Sequence, residues 1–250
     1  MKLLASDVDG TLIHSHGEMK QSTIDAIAAW RKAGHVFAFV TGRDLWILRR
    51  DVDKLNIPFD YAICNNGGVI YDANYQPLHE ASIAGSLVKQ IVEDPIVKDS
   101  LYYILSGLED RYLVEGKKVT DRNYYTNTIQ VADIDQHDYY GIDLLFENVE
   151  KMDGIAAQLE AKYGDRIAIN KNIDSIDING LGSNKSTGVH WLVENKLTQA
   201  SDVMVVGDGQ NDVQMIKDYH GYTMVNATAD IQDIARDVID DVAKIIDTHI

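Results

Sequence analysis

Four short and mainly apolar runs alternate with longer stretches in which apolar residues recur at helical spacing. The runs at residues 3–5, 36–40, 59–64 and 203–206 predict buried strands, because a strand covered on both faces is apolar at successive positions. Helical spacing between them, as over residues 45–55, predicts connecting helices. This alternation predicts an α/β fold with a Rossmann-like parallel sheet.

The pattern changes after the third strand, and the change predicts a second domain inserted into the first. Residues 69–78 predict a hairpin, and the segment that follows mixes strands and helices without the earlier alternation. We therefore expect an inserted α+β domain at residues 82–181 and a discontinuous core domain at residues 1–81 and 182–250. Near the end of the core, the amphipathic and acidic stretch from residue 230 predicts a helix.

Polar side chains follow three of the predicted core strands at the point where each strand ends. Asp7 and Asp9 follow the first strand, Thr41 follows the second, and Asp208 and Asp212 follow the fourth. Because parallel strands present their carboxyl ends at one edge of the sheet, we expect these side chains to converge there. The first pair alone fits two interpretations equally well, a solvated Asp-Gly turn or a cation site.

The convergence of acids favours the cation site. Carboxylates held close together repel one another unless a cation lies between or beside them, and hard divalent cations such as Mg²⁺ prefer oxygen ligands. Lys185, at the start of a predicted helix, adds a positive charge for anionic oxygens. Acids, a divalent metal and one lysine are typical of phosphoryl-transfer sites, in which the metal keeps Asp7 ionised as a nucleophile.

Two glycine-rich segments resemble nucleotide-binding loops but lack their defining residues. Residues 180–186 resemble a phosphate-binding P-loop, yet Asn179 and Asn184 stand where that motif requires glycine. Residues 207–212 begin like a dinucleotide fingerprint, but Asp212 replaces its third glycine. We therefore do not expect either segment to bind a nucleotide in those ways.

Charge and composition narrow the possible partners and compartment. The 250-residue chain carries a formal net charge of -16, which argues against binding to nucleic acid or to anionic membranes. Its single cysteine, Cys64, fits a reducing compartment. No apolar stretch comes close in length to a membrane-spanning helix, which needs about 18 residues. We expect a cytoplasmic enzyme.

The four polar motifs together resemble those of a known family. They are the stretch at residues 7–11, the stretch at residues 40–43, Lys185 before an amphipathic helix, and the stretch at residues 207–212. In this order, each at a strand or helix end, they resemble the haloacid dehalogenase superfamily, and specifically its Cof-type phosphatases. The resemblance covers essentially the whole chain and implies that the inserted domain is a large α/β cap of the type IIB class.

The resemblance also implies residue roles. Asp7 would attack phosphorus and form an aspartyl-phosphate, and Asp9 would protonate the leaving oxygen and then activate water. The implied Mg²⁺ ligands are Asp7, Asp9 through its backbone carbonyl, and Asp208, with Asp212 supporting them. The implied phosphoryl-binding residues are Thr41, Gly42, Lys185 and Asn211.

The sequence thus predicts a Mg²⁺-dependent phosphomonoester hydrolase that acts on small phosphorylated metabolites, with sugar phosphates as the expected class. A phosphomutase that uses the same aspartyl-phosphate is one alternative. A phospho-aspartate signalling module is another, although such a module needs neither a general acid at Asp9 nor a large insertion to shield the site. A non-catalytic sensor of sugar phosphates is disfavoured by the complete set of acids.

Overall fold

The computed structural model describes residues 1–14, 18–116, 124–172, 174–197 and 201–250. Within these ranges the chain forms two β-sheets, one of eight strands and one of six. Hydrophobic clusters cover both faces of the larger sheet, and a separate cluster underlies the smaller one.

Helices and strands follow one another along the chain, mostly with short connections. Up to residue 80 they are β1 (Lys2–Ser6), α1 (Gln21–Lys32), β2 (Val36–Val40), α2 (Leu45–Leu55), β3 (Tyr61–Cys64), β4 (Val69–Asp72) and β5 (Pro77–Glu80). The next are α3 (Gly85–Val92), β6 (Tyr103–Ser106), β7 (Arg111–Val114), β8 (Asn127–Ile129), β9 (Gly141–Leu145), α4 (Met152–Tyr163), β10 (Ile167–Lys171) and β11 (Ser175–Gly180). The last are α5 (Lys185–Lys196), β12 (Asp202–Gly207), α6 (Val213–Tyr219), β13 (Tyr222–Met224), α7 (Ala229–Ile234), β14 (Asp237–Ile239) and α8 (Ala243–His249).

The larger sheet, which we call the core sheet, has the order β14-β13-β12-β1-β2-β3-β4-β5. Its strands from β14 to β3 run parallel, and β4 and β5 add an antiparallel hairpin at one edge. Strands β12, β1, β2 and β3 are therefore consecutive neighbours, and their carboxyl ends share one edge of the sheet.

Alternate residues of the core strands pack on opposite faces, as a period of two requires. Leu4 of β1 lies in the cluster with Trp30 of α1, whereas Leu3 lies in the cluster with Leu192 of α5. All four side chains are at most 1% exposed. The sheet is thus covered on both sides by helices, which explains the uninterrupted apolar runs in its strands.

The smaller sheet, which we call the cap sheet, has the order β10-β11-β9-β6-β7-β8. Its pairings are antiparallel except between β7 and β8. Helices α3 and α4 contribute to the cluster that underlies it. In the described part of the chain, none of the helices has the length and apolar character needed to cross a membrane.

The α/β fold with a parallel core sheet is confirmed, as are the predicted second strand, second helix and β4–β5 hairpin. The prediction of one helix from residue 230 is wrong in part, because β14 lies between two short helices. Thr223 of β13 pairs with Val238, and this long-range pairing is not visible in the local pattern. The domain boundaries at residues 81/82 and 181/182 stay a prediction.

Candidate active site

A buried lysine joins the ends of two neighbouring core strands. Lys185 is 2% exposed, and its Nζ donates to Oδ1 of Asp7, after β1, and to Oδ1 of Asp212, after β12, at 2.7 Å each. Burial lowers the pKa of Lys185, but the carboxylates of Asp212 and Asp7 raise it more, so the net shift is upward and the side chain is a cation. Lys185 therefore balances part of the negative charge of the acids.

The start of α5 fixes the position of this lysine. The side chain of Asn184 accepts from the backbone N–H of Thr187 at 2.9 Å, and the Thr187 hydroxyl accepts from the N–H of Asn184 at 3.0 Å. This reciprocal pair is a capping box, which ends the loop and begins the helix at Lys185. Asn184, the residue that breaks the P-loop pattern, is thus the helix cap.

Asp7 lies in an environment that opposes its ionisation. It is 4% exposed, and burial raises its pKa to about 7, with Lys185 opposing the rise and Asp212 and Asp9 adding to it. A cation beside Asp7, in addition to Lys185, would favour the ionised form that a nucleophile requires.

Asp208 is held by contacts from two other segments. Its Oδ1 accepts from the Thr11 hydroxyl at 3.0 Å, and its Oδ2 accepts from Asn226 at 2.6 Å. A Cβ at Gly10 would lie 2.2 Å from Oδ2 of Asp208, so glycine with its positive φ of 81° is needed at that turn. Burial, with a contribution from Asp7, raises the pKa of Asp208 to about 6.

Three of these acids fit a divalent cation. Asp7, Asp208 and Asp212 each offer a carboxylate oxygen, and these oxygens lie within 4.8 Å of one another. Oδ2 of Asp212 accepts from the backbone N–H groups of Asp208 and Gly209, at 3.1 and 2.9 Å, so its orientation is fixed. Hard oxygen donors at this spacing suit Mg²⁺. Burial, with a smaller contribution from neighbouring acids, raises the pKa of Asp7 and of Asp208, and a cation beside them would oppose that rise.

Asp9 has a different environment from the other acids. Its side chain is 60% exposed and forms a two-point ion pair with Arg43, at 2.7 Å from Nε and 2.6 Å from Nη2. Arg43 also binds Asp51 at 2.7 Å. The sequence pattern did not predict this pair, although Arg43 stands directly after Thr41 and Gly42, at the end of the neighbouring strand.

The predicted phosphoryl-binding residues other than Lys185 are connected through Asn66. The backbone N–H of Asn66 donates to the Thr41 carbonyl at 2.9 Å, and Asn211 donates to Oδ1 of Asn66 at 3.1 Å. A Cβ at Gly42 would lie 3.3 Å from the amide atoms of Asn66 and 3.0 Å from Oδ2 of Asp177. Thr41, Gly42 and Asn211 thus surround one buried asparagine.

Asn66 and Asp177 were not among the predicted site residues. Asn66 follows β3, so the same reasoning from strand ends, applied to Asn65 and Asn66, would have found it. Asp177 lies on the cap sheet, where no motif marks it. Burial, with Asp143 adding to the effect, raises the pKa of Asp177 to about 7.

Comparison with known proteins gives one family over nearly the whole chain. A family model described as haloacid dehalogenase-like hydrolase matches residues 4–245. The 5-amino-6-(5-phospho-D-ribitylamino)uracil phosphatase YcsE of Bacillus subtilis is 24% identical over 258 residues, covering 100% of this chain and 91% of that protein. The pyridoxal phosphate phosphatase YbhA of Escherichia coli is 23% identical over 271 residues, covering 100% and 98%.

A solved structure shares the fold. The haloacid dehalogenase subclass IIB sugar phosphatase BT4131 superposes with a TM-score of 0.79 at 19% identity, covering 99% of this chain and 98% of that one. The predicted α/β fold with a parallel core sheet therefore matches an experimental structure over 99% of this chain.

Proposed function

The chain belongs to the haloacid dehalogenase-like hydrolases and is a phosphatase of that family, and we propose that it hydrolyses small phosphomonoesters with Mg²⁺ as its cofactor. The observation that carries the proposal is the buried group formed by Asp7, Lys185 and Asp212, with Asp208 beside it. It combines a candidate nucleophile, a fixed cation and oxygen donors for a metal at one edge of a parallel sheet.

The proposed reaction has two steps. An oxygen of Asp7 attacks phosphorus as the bond from phosphorus to the ester oxygen breaks, and the leaving oxygen takes a proton from Asp9. Asp9 then removes a proton from water, whose oxygen attacks the aspartyl-phosphate. Inorganic phosphate leaves, Asp7 is again a carboxylate, and Asp9 is again protonated. Asp9 acts in this way once its pair with Arg43 has opened.

Lys185, Thr41, Gly42 and Asn211 are the proposed phosphoryl-binding residues. Lys185 is rigidly held and charged, so it supplies electrostatic stabilisation without reorganising during the reaction. Asp7, Asp208 and the Asp9 carbonyl are the proposed Mg²⁺ ligands, and Asp212 orients them and Lys185. The metal would supply further charge stabilisation at the phosphoryl oxygens.

The proposed substrates are sugar phosphates, and the proposed cap that contacts them is residues 82–181, with residues 1–81 and 182–250 as the core. The names of the relatives support a phosphorylated small molecule but differ in the leaving group, which is a sugar, a ribityl compound or pyridoxal. A net charge of -16 and one cysteine support a cytoplasmic enzyme that does not bind nucleic acid.

The test is phosphate release by the purified protein from a panel of sugar phosphates, pyridoxal phosphate, nucleotides and p-nitrophenyl phosphate. Each compound is measured with Mg²⁺ and with EDTA. We expect release that EDTA abolishes, with the highest kcat/KM for a sugar phosphate. No release from any compound would contradict a phosphatase function, and release that persists in EDTA would contradict the cofactor.

A further inference from the structure

Asn66 lies between the two sheets and touches both. It is fully buried, at 0% exposure, and lies two residues after the end of β3 of the core sheet. Its backbone has φ 51° and ψ 38°, a left-handed conformation that asparagine tolerates better than most residues. Its backbone N–H donates a hydrogen bond to the carbonyl of Thr41, which connects Asn66 to the loop that follows β2.

The side-chain amide of Asn66 makes bonds in two directions. Nδ2 donates to Oδ2 of Asp177 at 3.1 Å and to Oδ1 of Asn179 at 3.3 Å, both on β11 of the cap sheet. Oδ1 accepts from Asn211, in the core, at 3.1 Å. Because an ionised carboxylate only accepts hydrogen bonds, Asp177 requires the nitrogen of this amide, and the oxygen is left for Asn211.

Asp177 is poorly suited to bind a phosphoryl group itself. Its Oδ2 lies against Gly42, and a negative charge at that place would repel phosphoryl oxygens. Its cross-strand partner is another acid, Asp143. The same Oδ2 accepts from Asn172 at 2.7 Å as well as from Asn66, so the carboxylate is used to hold two amides.

We propose that Asn66 is a positioning residue that makes the placement of Asn211 and the Thr41 loop depend on Asp177 of the cap sheet. The inference rests on the proposed function, because it assigns Asn211 and Thr41 to the phosphoryl-binding site. When β11 lies over the core, Asp177 fixes which way the Asn66 amide points, and that direction places Asn211. The phosphoryl-binding site is therefore complete only when the cap sheet is seated, which links substrate enclosure to catalysis.

The first variant is Asn66→Asp, which keeps the shape and the oxygen for Asn211 but replaces the donor to Asp177 by a carboxylate. We expect kcat to fall about 10- to 100-fold, since small errors in positioning are costly, with KM nearly unchanged because the leaving-group contacts remain. Adding Asp177→Asn exchanges donor and acceptor across the same contact. The double variant should exceed Asn66→Asp in kcat by about tenfold or more.

Asn127→Asp is the matched control. It places the same kind of new charge against another carboxylate, Oδ1 of Asp110 at 3.5 Å, but Asn127 lies on β8, the edge strand of the cap sheet farthest from β10 and β11. We expect its kcat to stay within about twofold of wild type, because among the described hydrogen bonds Asn127 shares no partner with Asn66 or Asp177. A general effect of charge in the cap would instead lower kcat in both single variants.

A second readout is independent of turnover. Amide hydrogen exchange at residues 41–43 and 211 should be faster in Asn66→Asp than in wild type, unchanged in Asn127→Asp, and restored in the double variant. The proposal would be overturned if Asn66→Asp kept both the kcat and the exchange rates of the wild type. It would also be overturned if the double variant had a kcat no higher than that of Asn66→Asp. Absence of phosphate release by the wild type would contradict the proposed function but not this inference. The exchange rates would still show whether the Thr41 loop and Asn211 depend on Asp177.

Discussion

Replacing Lys185 with methionine removes the cation shared by two buried carboxylates and leaves a side chain of similar length. Lys185 is 2% exposed and lies 2.7 Å from an oxygen of both Asp7 and Asp212. Removing one partner of a buried ion pair costs about 3–5 kcal/mol, because the remaining charge stays buried without compensation. For a chain of this size that cost lowers Tm by about 6–20 °C in metal-free protein at pH 8.5.

The loss should depend on pH. Burial raises the pKa of Asp7 from 3.8 to about 7 even with Lys185 present, and Lys185 lowers it. An acid whose pKa is higher in the folded state than in the unfolded state destabilises the fold when it ionises. The free energy of unfolding of the wild type should therefore fall by about 4 kcal/mol in total as pH rises from 3.8 to about 7. Without Lys185 the pKa of Asp7 rises further, and the loss extends above pH 7. The difference in Tm between wild type and variant should therefore grow from pH 6 to pH 8.5.

The assay is calorimetric melting of both proteins in EDTA at several pH values. The control is Lys171→Met, which removes the same charge from a pair with Asp153 that is 45% and 79% exposed, and should change stability by less than about 1 kcal/mol. A Tm difference for Lys185→Met that is as small as that of the control, or that does not change with pH, would refute the reasoning.

Three further results are expected. Mg²⁺ at one hundred times its Kd should stabilise the metal-free wild type by about 2.7 kcal/mol, which calorimetry detects as a higher Tm. Asp208→Asn should lose most of this gain, and equal gains in both proteins would contradict the metal site. Arg111→Met leaves two carboxylates without their cation, the buried Asp44 before α2 and the partly buried Asp143 on β9, and urea melts should show a loss of about 3–5 kcal/mol rather than none. Gly42→Ala places a Cβ 3.0 Å from Asp177 and 3.3 Å from Asn66, so steady-state kinetics should show a lower kcat; wild-type kcat would mean that this contact is not needed.

The convergence of Asp7, Asp208 and Asp212 was predictable because it follows from two local facts. Each acid comes at or just beyond the end of a continuous apolar run, and such runs form neighbouring parallel strands whose carboxyl ends share an edge. The pairing of β1 with β12 then brings the acids together. Hydrophobic periodicity and position at a strand end were therefore sufficient to predict that these acids lie together. The role of each residue stays a proposal.

The contacts that the sequence did not predict depend on which residues meet across long separations. Asn66, after β3 of the core sheet, and Asp177, on the cap sheet, are 111 residues apart. Asp9 and Arg43 meet only because their loops are adjacent at the sheet edge. Hydrophobic periodicity carries no information about such pairs. The strand β14 was missed for the same reason, since three residues become a strand only through pairing with β13.

The most direct test of the central claim is the covalent phosphorylation of Asp7. The protein is mixed with its best substrate and Mg²⁺, quenched in acid during turnover, digested, and mapped by mass spectrometry. The account predicts one added phosphoryl group on the peptide that contains Asp7, absent without Mg²⁺ and absent in Asp7→Asn, which should also release no phosphate. Wild-type phosphate release by Asp7→Asn, or a phosphoryl group carried on another residue during turnover, would contradict it.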